Sequence, residues 1–559
     1  MQKEKDIQKM IDKAISEFCE KRDACSLYGD FYTPKNVAKF LAGLVVSEDK
    51  TSPSLYDPCC GSGALLLSAD NVKKYRLFGQ ALDEKCWKIV KMNAALRNTE
   101  INLGDKAADT LREDLFPNVE FDCILADPPF NLPNWRNKDE IIDERWKFGV
   151  PPKANANFAW LQHIILHLKE DGVAAVIMPN NSLTSCYTNE GYIRSNMLTA
   201  GIVEAIITLP PRLFYNTRIP CCVWVLNKAR KSHEDVLLVD AQKLYLQSEE
   251  RVSDIDFKTV EKIICEFRKN GTISMQDGAV VVPFEKIAEN KFVLSPNLYM
   301  QDGLSRKYFE LIPMNARVEI MKQWEKCFGN SDISQAIESL NQELLMSAKW
   351  VKYSLAELFD ISCGLMGSKL VFEKGDYPVV DTKTIIDNCI IPNRLNKFAK
   401  VDENTKQRLN IKYGDFLMNR TSESIEKLGY CSLVATDCDA VFNGFTKRLR
   451  PRWLNDVDIF YVLAYFCSSF YRKEIEKVST VYTVKANLND MQLERVNIYL
   501  PPDNIRQIIS EIISHIANRM VQTDVTEERN RLRVLISLIG DYSISTPLLL
   551  KELHNKEDK

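Results

Sequence analysis

The first 245 residues alternate between short apolar runs and amphipathic runs, and this rhythm constrains the fold more than any other feature of the chain. The pattern predicts helices such as 86–96 and 158–168 between strands at residues 54–57, 77–83, 122–126, 173–178, 202–209 and 221–226. Strands separated by helices form an α/β fold with a doubly wound, mostly parallel sheet. Because such sheets bind ligands beyond the carboxyl ends of their strands, we expect a functional site in the loops at that edge.

The composition is that of an ordinary globular protein. The 559 residues are 45% hydrophobic and 27% charged, which leaves room for roughly two to four domains. No run looks long or apolar enough to span a bilayer, and residues 1–14 lack the apolar core of a signal peptide, so we expect a cytoplasmic protein with no membrane partner. The sixteen cysteines show no metal-binding spacing and are interpreted as reduced thiols. The net charge of -3 does not exclude nucleic acid, because contact surfaces are local.

The first notable loop is LYDPCCGSGALLL, residues 55–67. It places Asp57 at the end of a strand and Gly61 and Gly63 before a predicted helix, so that backbone can approach a ligand closely. A plain turn would also use two glycines. The spacing is not that of a dinucleotide fingerprint and no phosphate-loop lysine follows, so nucleotide phosphates are not the favoured ligand.

The second loop is DCILADPPFN, residues 122–131. Its strand ends on Asp127, whose carboxylate accepts hydrogen bonds, and the prolines that follow carry no competing N–H donor. Together with the flat ring of Phe130, these acceptors suit an amino group attached to a flat heterocycle. A strand-terminating turn with a core phenylalanine is the alternative.

Together the two loops resemble motifs I and IV of the amino-group DNA methyltransferases that use S-adenosylmethionine. The surrounding sequence is similar to the modification subunit of type I restriction-modification systems, and GDFYTPKNVAKFL (29–41) resembles that family's N-terminal cofactor motif. The resemblance covers most of residues 26–301 through further segments at 79–98, 148–183, 209–228 and 282–300. The order of the motifs is that of the gamma class.

The resemblance implies S-adenosylmethionine as the cofactor. The implied cofactor residues are Tyr32, Thr33, Asp57, Cys59, Gly61, Gly63, Asp83, Asp105 and Asp127. Relatives carry a glutamate for the cofactor ribose where this chain has Ala81, and Asp83, expected on the same strand face, is the substitute. Thr33 would otherwise be an extended-turn residue, and Asp105 a surface loop acid.

The implied catalytic residues are Asp127, Pro128, Pro129 and Phe130. Enzymes of this type flip the target base out of the duplex. Phe130 would stack on adenine, while Asp127 and the Pro128 carbonyl would accept hydrogen bonds from its amino group. The family usually has asparagine at the position of Asp127, which leaves N4-cytosine open as an alternative target.

Asn157 and Phe158 fall where the family packs the base pocket, although a helix N-cap followed by a core aromatic explains them equally well. His163 and His167 are spaced as metal ligands on a helix, but the sequence shows no nearby third ligand, so no metal is predicted.

Residues 349–500 resemble one target-recognition domain of a type I specificity subunit. The expected DNA contacts are Asn419, Arg420, Ser422, Lys447, Arg448 and Arg450, with Lys412 and Arg452 as further cations, against the alternative of a solvated basic face. Ile505, Ile509, Ile512, Ile516 and Met520 then form an apolar seam on a long helix that resembles a spacer helix. This seam predicts a homodimer through residues 503–540.

The predicted organisation is an N-terminal helical segment (1–25), a catalytic domain (26–301), a helical linker (302–348), an α+β target-recognition domain (349–500) and a spacer helix (501–559). The predicted function is sequence-specific adenine methylation of double-stranded DNA, by a solitary enzyme or beside a separate restriction subunit. The alternatives are a catalytically silent DNA-binding protein of the same ancestry, motivated by Asp127 and Ala81, and methylation of a protein amide or of RNA.

Overall fold

The computed structural model describes residues 33–45, 51–69, 72–136, 143–185, 189–210, 213, 219–241, 257–274, 278–329, 333–365, 375, 377–422, 425–481 and 486–554. These residues form two compact units, one up to Met300 and one from Gln301 onward. Tyr32, a predicted cofactor residue, lies outside the described residues.

A mixed sheet forms the centre of the first unit. Within the described residues its strands are β1 (Ser54–Asp57), β2 (Arg76–Gly79), β3 (Ile101–Asn102), β4 (Phe121–Ala126), β5 (Leu168–Pro179), β6 (Val203–Thr208), β7 (Cys221–Asn227), β8 (Val236–Asp240) and β9 (Ala279–Val282). Their spatial order is β3-β2-β1-β4-β5-β7-β6-β8-β9. The strands from β3 to β5 are parallel, whereas β7 runs antiparallel to both of its neighbours. The predicted doubly wound α/β class is confirmed.

Helices cover both faces of this sheet, because alternate residues of its strands point to opposite sides. Cys123 and Leu125 of β4 belong to one apolar core, and Ile124 and Ala126 to the other. The helices are Lys35–Val45, Glu84–Leu96, Asn157–Leu166, Glu190–Thr199, Phe257–Asn270 and Phe284–Glu289. With both faces buried, the site is left to the loops at the strand ends.

The position of Asp83 corrects one prediction. The strand expected at 77–83 ends at Gly79, and Asp83 is instead the N-cap of the helix Glu84–Leu96, where its carboxylate accepts a hydrogen bond from the Cys86 N–H at 2.8 Å. Asp83 is exposed, while Ala81 is buried. The two residues therefore do not share a strand face, and one oxygen of the Asp83 carboxylate accepts the capping bond.

The second unit is α+β. Its described strands are Val351–Ser354, Phe359–Cys363, Tyr377–Val380, Phe398–Ala399, Phe416–Asn419, Thr421–Ser422, Cys431–Leu433, Val441–Phe442, Thr446–Pro451, Thr480–Val481, Ala486–Asn487 and Asn497–Leu500. Its described helices are Gln301–Glu310, Ala316–Phe328, Ser334–Ser339, Gln342–Ser347, Leu355–Leu358, Glu403–Leu409, Asp456–Phe466, Ser469–Val478, Asp490–Leu493, Asp503–Gln522, Thr526–Gly540 and Thr546–His554. The segment predicted as a linker supplies Ile320, Trp324 and Ile337 to the core of this unit.

The C-terminal seam also differs from its prediction. Its helix ends at Gln522, and a second helix follows at Thr526–Gly540. All five seam residues are at most 5% exposed and belong to the apolar core that the helix Asp456–Phe466 shares. Since the chain's own helices cover the seam, the argument for a homodimer through residues 503–540 does not hold.

The end of the chain contains an apolar helical run that the sequence analysis did not anticipate. By length and composition alone, Thr526–Leu553 is able to cross a membrane, but 61% of its most apolar stretch is buried inside the protein. Burial of this kind is typical of a core helix.

Candidate active site

Two acidic residues meet at the carboxyl edge of the sheet. Asp57 is the last residue of β1, and Asp127 follows the last residue of β4. The two strands are hydrogen-bonded neighbours, with Tyr56 opposite Ile124. Because the strands are parallel, both side chains lie at the same edge, where α/β sheets bind their ligands.

Thr33 lies against Asp127. Its hydroxyl donates a 2.6 Å hydrogen bond to Oδ2 of Asp127, and Thr33 itself is 5% exposed. The helix Lys35–Val45 begins two residues later and packs its apolar side chains into the core below the sheet. Thr33 was predicted to contact the cofactor, and here it orients the carboxylate of the DPPF loop.

Burial changes the acidity of both carboxyl groups. It raises the pKa of Asp57 to about 7. The charge of Asp127 also raises this pKa, whereas the hydrogen bond from the Cys59 N–H lowers it. Burial also raises the pKa of Asp127 to about 7, against the hydrogen bond from Thr33. Cys59 lies close enough to both acids for their charges to raise its pKa further above the value set by burial. A cation bound at this edge would favour the ionised carboxylates.

The glycine loop leaves room beside Asp57. Gly61 and Gly63 have φ angles of +48° and +80°, which residues other than glycine rarely adopt. A Cβ atom on Gly61 would have no described atom within 4 Å, whereas one on Gly63 would lie 3.1 Å from Val90. The residues that follow form turns and not the regular helix that was predicted. The loop therefore offers bare backbone to a ligand, but not a helix N-terminus.

Four asparagines hold the loop that carries Phe130. Asn131 has a φ angle of +54°, and its Oδ1 accepts hydrogen bonds from Nδ2 of Asn157 at 2.9 Å, Asn181 at 2.9 Å and Asn155 at 3.3 Å. The Asn131 N–H donates back to Oδ1 of Asn157 at 2.9 Å. We call these four residues the asparagine cluster. It fixes the backbone immediately after Phe130, which is itself half-buried against the core.

Asn157 and Phe158 have separate roles. The N-cap of their helix is Ala156, which makes no side-chain capping bond, so Asn157 is free to join the asparagine cluster. Phe158 is fully buried and packs edge-on against Trp224, which makes it a core residue.

Asn180 and Asn181 are site residues that were not predicted from the sequence. They begin the turn Asn180–Leu183 after β5, the strand beside β4. Among the residues that the structure describes, neither Oδ1 atom has a hydrogen-bond partner although both are buried. The available signal was the PNN sequence at the end of a strand adjacent to the DPPF strand.

The remaining cofactor prediction, Asp105, is exposed in the loop after β3, at the same edge of the sheet as Asp57. Pro128 is buried and Pro129 is half-buried beside Asp127.

Three predicted DNA contacts are engaged inside the second unit. Lys447 is 2% exposed and forms an ion pair with Asp490, and Arg448 donates to the carbonyls of Arg408 and Asn410. Arg450 forms a two-pronged ion pair with the buried Asp415, with N–O distances of 2.8 and 2.7 Å. Each of these three cations already bonds groups of its own chain, which argues against a contact with phosphate, and their part in DNA binding stays a prediction.

The other predicted DNA contacts lie near the end of the strand Phe416–Asn419. Arg420 is half-buried, and its backbone N–H donates to the carbonyl of Phe445. The ring of Phe445 is 53% exposed and was not predicted as a DNA contact. Asn419 donates to the Lys427 carbonyl at 3.1 Å, and Ser422 is buried in a short strand. Lys412 and Arg452 are exposed.

The sheet order, with one antiparallel strand between β5 and β6, and the ligand edge at β1 and β4 define a fold of the S-adenosylmethionine-dependent methyltransferase class. Residues 6–307 match the N-6 DNA Methylase family. This match covers more than half of the chain, and the protein belongs to that family. Residues 347–530 match the type I restriction modification DNA specificity domain, so a methylase part is followed by a specificity part in one chain.

Several curated proteins are similar to the methylase part. The type I restriction enzyme HindI methylase subunit of Haemophilus influenzae is 33% identical over 284 residues, which are 49% of this chain and 63% of that protein. The MjaIX methylase subunit of Methanocaldococcus jannaschii is 31% identical over 296 residues, which are 49% of this chain and 52% of that protein. The chain thus covers less than two thirds of either relative.

Among solved structures, a type I restriction-modification system methyltransferase subunit from Streptococcus thermophilus is 33% identical. The match covers 48% of this chain and 59% of that one, with a TM-score of 0.43.

Proposed function

We propose that the protein methylates the N6 amino group of adenine at a specific sequence in double-stranded DNA. The observation that carries this proposal is the carboxyl edge of the sheet. There the acceptors Asp127 and Pro128 and the ring of Phe130 lie beside Asp57 and an open glycine loop. An amino group on a flat base needs these acceptors and a stacking surface, and the neighbouring loop leaves space for a second ligand.

The residues at this edge fit S-adenosylmethionine. Asp57, Cys59, Gly61 and Gly63 would hold it, with Tyr32, Thr33 and Asp105 as further candidates. When bound, it supplies an electrophilic methyl group on a positively charged sulfur. The positive charge is compatible with two acids, Asp57 and Asp127, whose pKa values lie near 7, since it would favour their ionised forms.

The chain's own residues would act by position. Asp127 and the carbonyl of Pro128 accept the two hydrogens of the adenine amine, which directs the nitrogen lone pair toward the methyl group. Phe130 stacks on the base, and the asparagine cluster keeps that ring in place. Asp127, oriented by Thr33, is placed to take up the proton that the nitrogen releases.

The specificity part would supply sequence recognition. We propose Arg420, Asn419 and Ser422 as contacts to DNA, with Lys412 and Arg452 available for phosphates. A separate restriction subunit remains a proposed partner, and a homodimer through the seam is no longer proposed. We propose that the protein itself is located in the cytoplasm, where its DNA substrate lies.

The test is single-molecule sequencing of genomic DNA from cells that express the protein. Methyladenine at one recurring sequence is expected for the wild type and for the control Glu511→Ala, an exposed acid of the second unit. The Asp127→Ala variant should show none. A modified cytosine in place of adenine would support the N4-cytosine alternative. The absence of any modified base in DNA from cells that express the wild-type protein would contradict the proposal.

A catalytically silent DNA-binding protein is the second candidate, and the position of Asp83 favours it. Asp83 was the expected substitute for the glutamate that Ala81 lacks, but its carboxylate caps a helix. Measurable binding of labelled S-adenosylmethionine to the purified protein would argue against this candidate.

A further inference from the structure

Three metal-binding side chains converge at the opposite edge of the first sheet. Asp114 precedes β4, and His163 and His167 lie one turn apart on the helix Asn157–Leu166 and its C-cap. One ligand atom from each residue lies within 4.8 Å of the other two. The sequence analysis predicted no metal because a third ligand was missing, and the tertiary structure supplies Asp114.

The orientation of His167 is fixed by its backbone partner. Nδ1 lies 2.8 Å from the Val119 carbonyl oxygen, which only accepts, so Nδ1 carries the hydrogen. Nε2 and Oδ2 of Asp114 are 2.8 Å apart and form a hydrogen bond, so a proton lies between them, and a metal ion bound here would displace that proton. A histidine that binds a metal usually donates its other N–H to a carbonyl or carboxylate in this way, which orients the ring toward the ion.

His163 is buried and has no hydrogen-bond partner among the described residues. Its side chain is 0% exposed, and neither ring nitrogen hydrogen-bonds any of the residues that the structure describes. Leaving both nitrogens unpaired in the interior is unfavourable, and an ion between His163, His167 and Asp114 would remove part of that cost.

We propose that Asp114, His163 and His167 bind a zinc ion. Two imidazoles and one carboxylate are a donor set that suits zinc, and water would complete four-fold coordination. Ligand atoms around zinc stand about 3.3 Å apart, so small side-chain rotations would close the present arrangement. Asp114 is 15% exposed and gives the site access from solvent.

The position of this site indicates a structural role. The Phe121 N–H at the start of β4 donates to the His167 carbonyl at 2.7 Å, which places the site at the amino ends of β4 and β5. Asp57 and Asp127 lie at the carboxyl ends of their strands. The ion would tie the loop before β4 to the helix that packs on the sheet.

The experiment is zinc titration of the metal-depleted full-length protein against a chromophoric chelator. We expect one tight site in the wild type, an affinity at least about 100-fold lower in Asp114→Asn and in His167→Gln, and no change in His233→Gln. His233 is exposed and stacks on Phe284, outside the cluster. Circular dichroism without metal shows whether each variant is folded.

Cobalt(II) substitution separates this site from adventitious binding by cysteines. Bound cobalt should show a tetrahedral spectrum without the charge-transfer band of thiolate ligands. The proposal is overturned if the wild type binds no zinc, if folded Asp114→Asn retains wild-type affinity, or if the thiolate band is present. None of these measurements depends on methylation.

Discussion

At the residue scale, the carboxyl group of Asp127 is subject to two opposing effects. Burial raises its pKa to about 7, while the Thr33 hydroxyl stabilises the ionised form through a 2.6 Å hydrogen bond. At neutral pH both protonation states are therefore populated in the free protein. Only the carboxylate offers two strong acceptors, whereas the protonated acid carries an O–H donor.

This balance predicts a pH-dependent methylation rate. The pKa of Asp127 is about 7 in the free protein, and a positively charged cofactor should lower it. The wild-type rate should therefore rise with pH to a plateau with a midpoint no higher than about 7, because ionisation of Asp127 creates the acceptor that the adenine amine needs. The Asp127→Asn variant keeps an acceptor oxygen that does not titrate, so its rate should be nearly constant between about pH 6 and pH 8. That rate should lie below the wild-type plateau, because the amide cannot take up the proton that the adenine amine releases. Single-turnover rates with saturating cofactor and duplex DNA would measure both profiles. An unchanged profile in Asp127→Asn would assign the titration to another group, with Asp57 the first candidate.

At the element scale, the asparagine cluster connects three parts of the first unit. Asn131 lies in the loop after β4, Asn157 begins a helix, and Asn181 lies in the turn after β5. Their side chains meet at one oxygen atom, Oδ1 of Asn131. The position of Phe130 thus depends on elements that are distant in sequence.

Removing a member of this cluster should affect catalysis more than cofactor binding. Asn157→Ala deletes two 2.9 Å hydrogen bonds to Asn131, and Asn181→Ala deletes one. We expect the single-turnover rate to fall at least about 10-fold in each variant as the Phe130 loop loosens. Glu511→Ala, at an exposed residue of the second unit outside the cluster, is the control, because Asn155→Ala would also delete the 3.0 Å hydrogen bond that Asn155 Oδ1 accepts from the Asn157 N–H. Equal losses in all three variants, or losses that appear only in cofactor affinity, would contradict this role.

At the scale of the whole molecule, the five seam residues belong to the core of the second unit. The helix Asp503–Gln522 packs its apolar side against the helix Asp456–Phe466, and polar residues face outward. An apolar seam is equally suited to a second copy and to a neighbouring helix of the same chain. Here the neighbouring helix occupies it.

Truncating the seam should consequently destabilise the fold and leave the oligomeric state unchanged. Ile509 is 0% exposed, and Ile509→Ala should lower the free energy of unfolding by about 2–5 kcal/mol. Val534→Ala, at a residue 49% exposed, should change it by less than about 0.5 kcal/mol. Urea unfolding measures these differences, and light scattering compares the masses of the variants. If the wild type were a dimer and Ile509→Ala a monomer, the result would support a dimer interface through the seam.

The strand pattern and the two loop motifs were sufficient to predict the fold class and the family. Strand β1 has the predicted bounds, and the DPPF loop follows β4 as expected. The roles of the individual site residues stay predictions. Local pattern did not distinguish a strand residue from a helix cap at Asp83, or an exposed cation from a buried one at Lys447.

The sequence by itself determined the alternation of strands and helices and six of the nine described strands of the first sheet, because apolar periodicity and turn residues act over a few positions. Strands β3, β8 and β9 were not predicted. Only the tertiary structure decided which distant groups meet. It placed Thr33 on Asp127, three asparagine side chains around Oδ1 of a fourth, and Asp114 beside two histidines. It also covered the seam with a helix of the same chain. These contacts depend on packing between segments far apart in the chain, and periodicity within one segment carries no information about its partner.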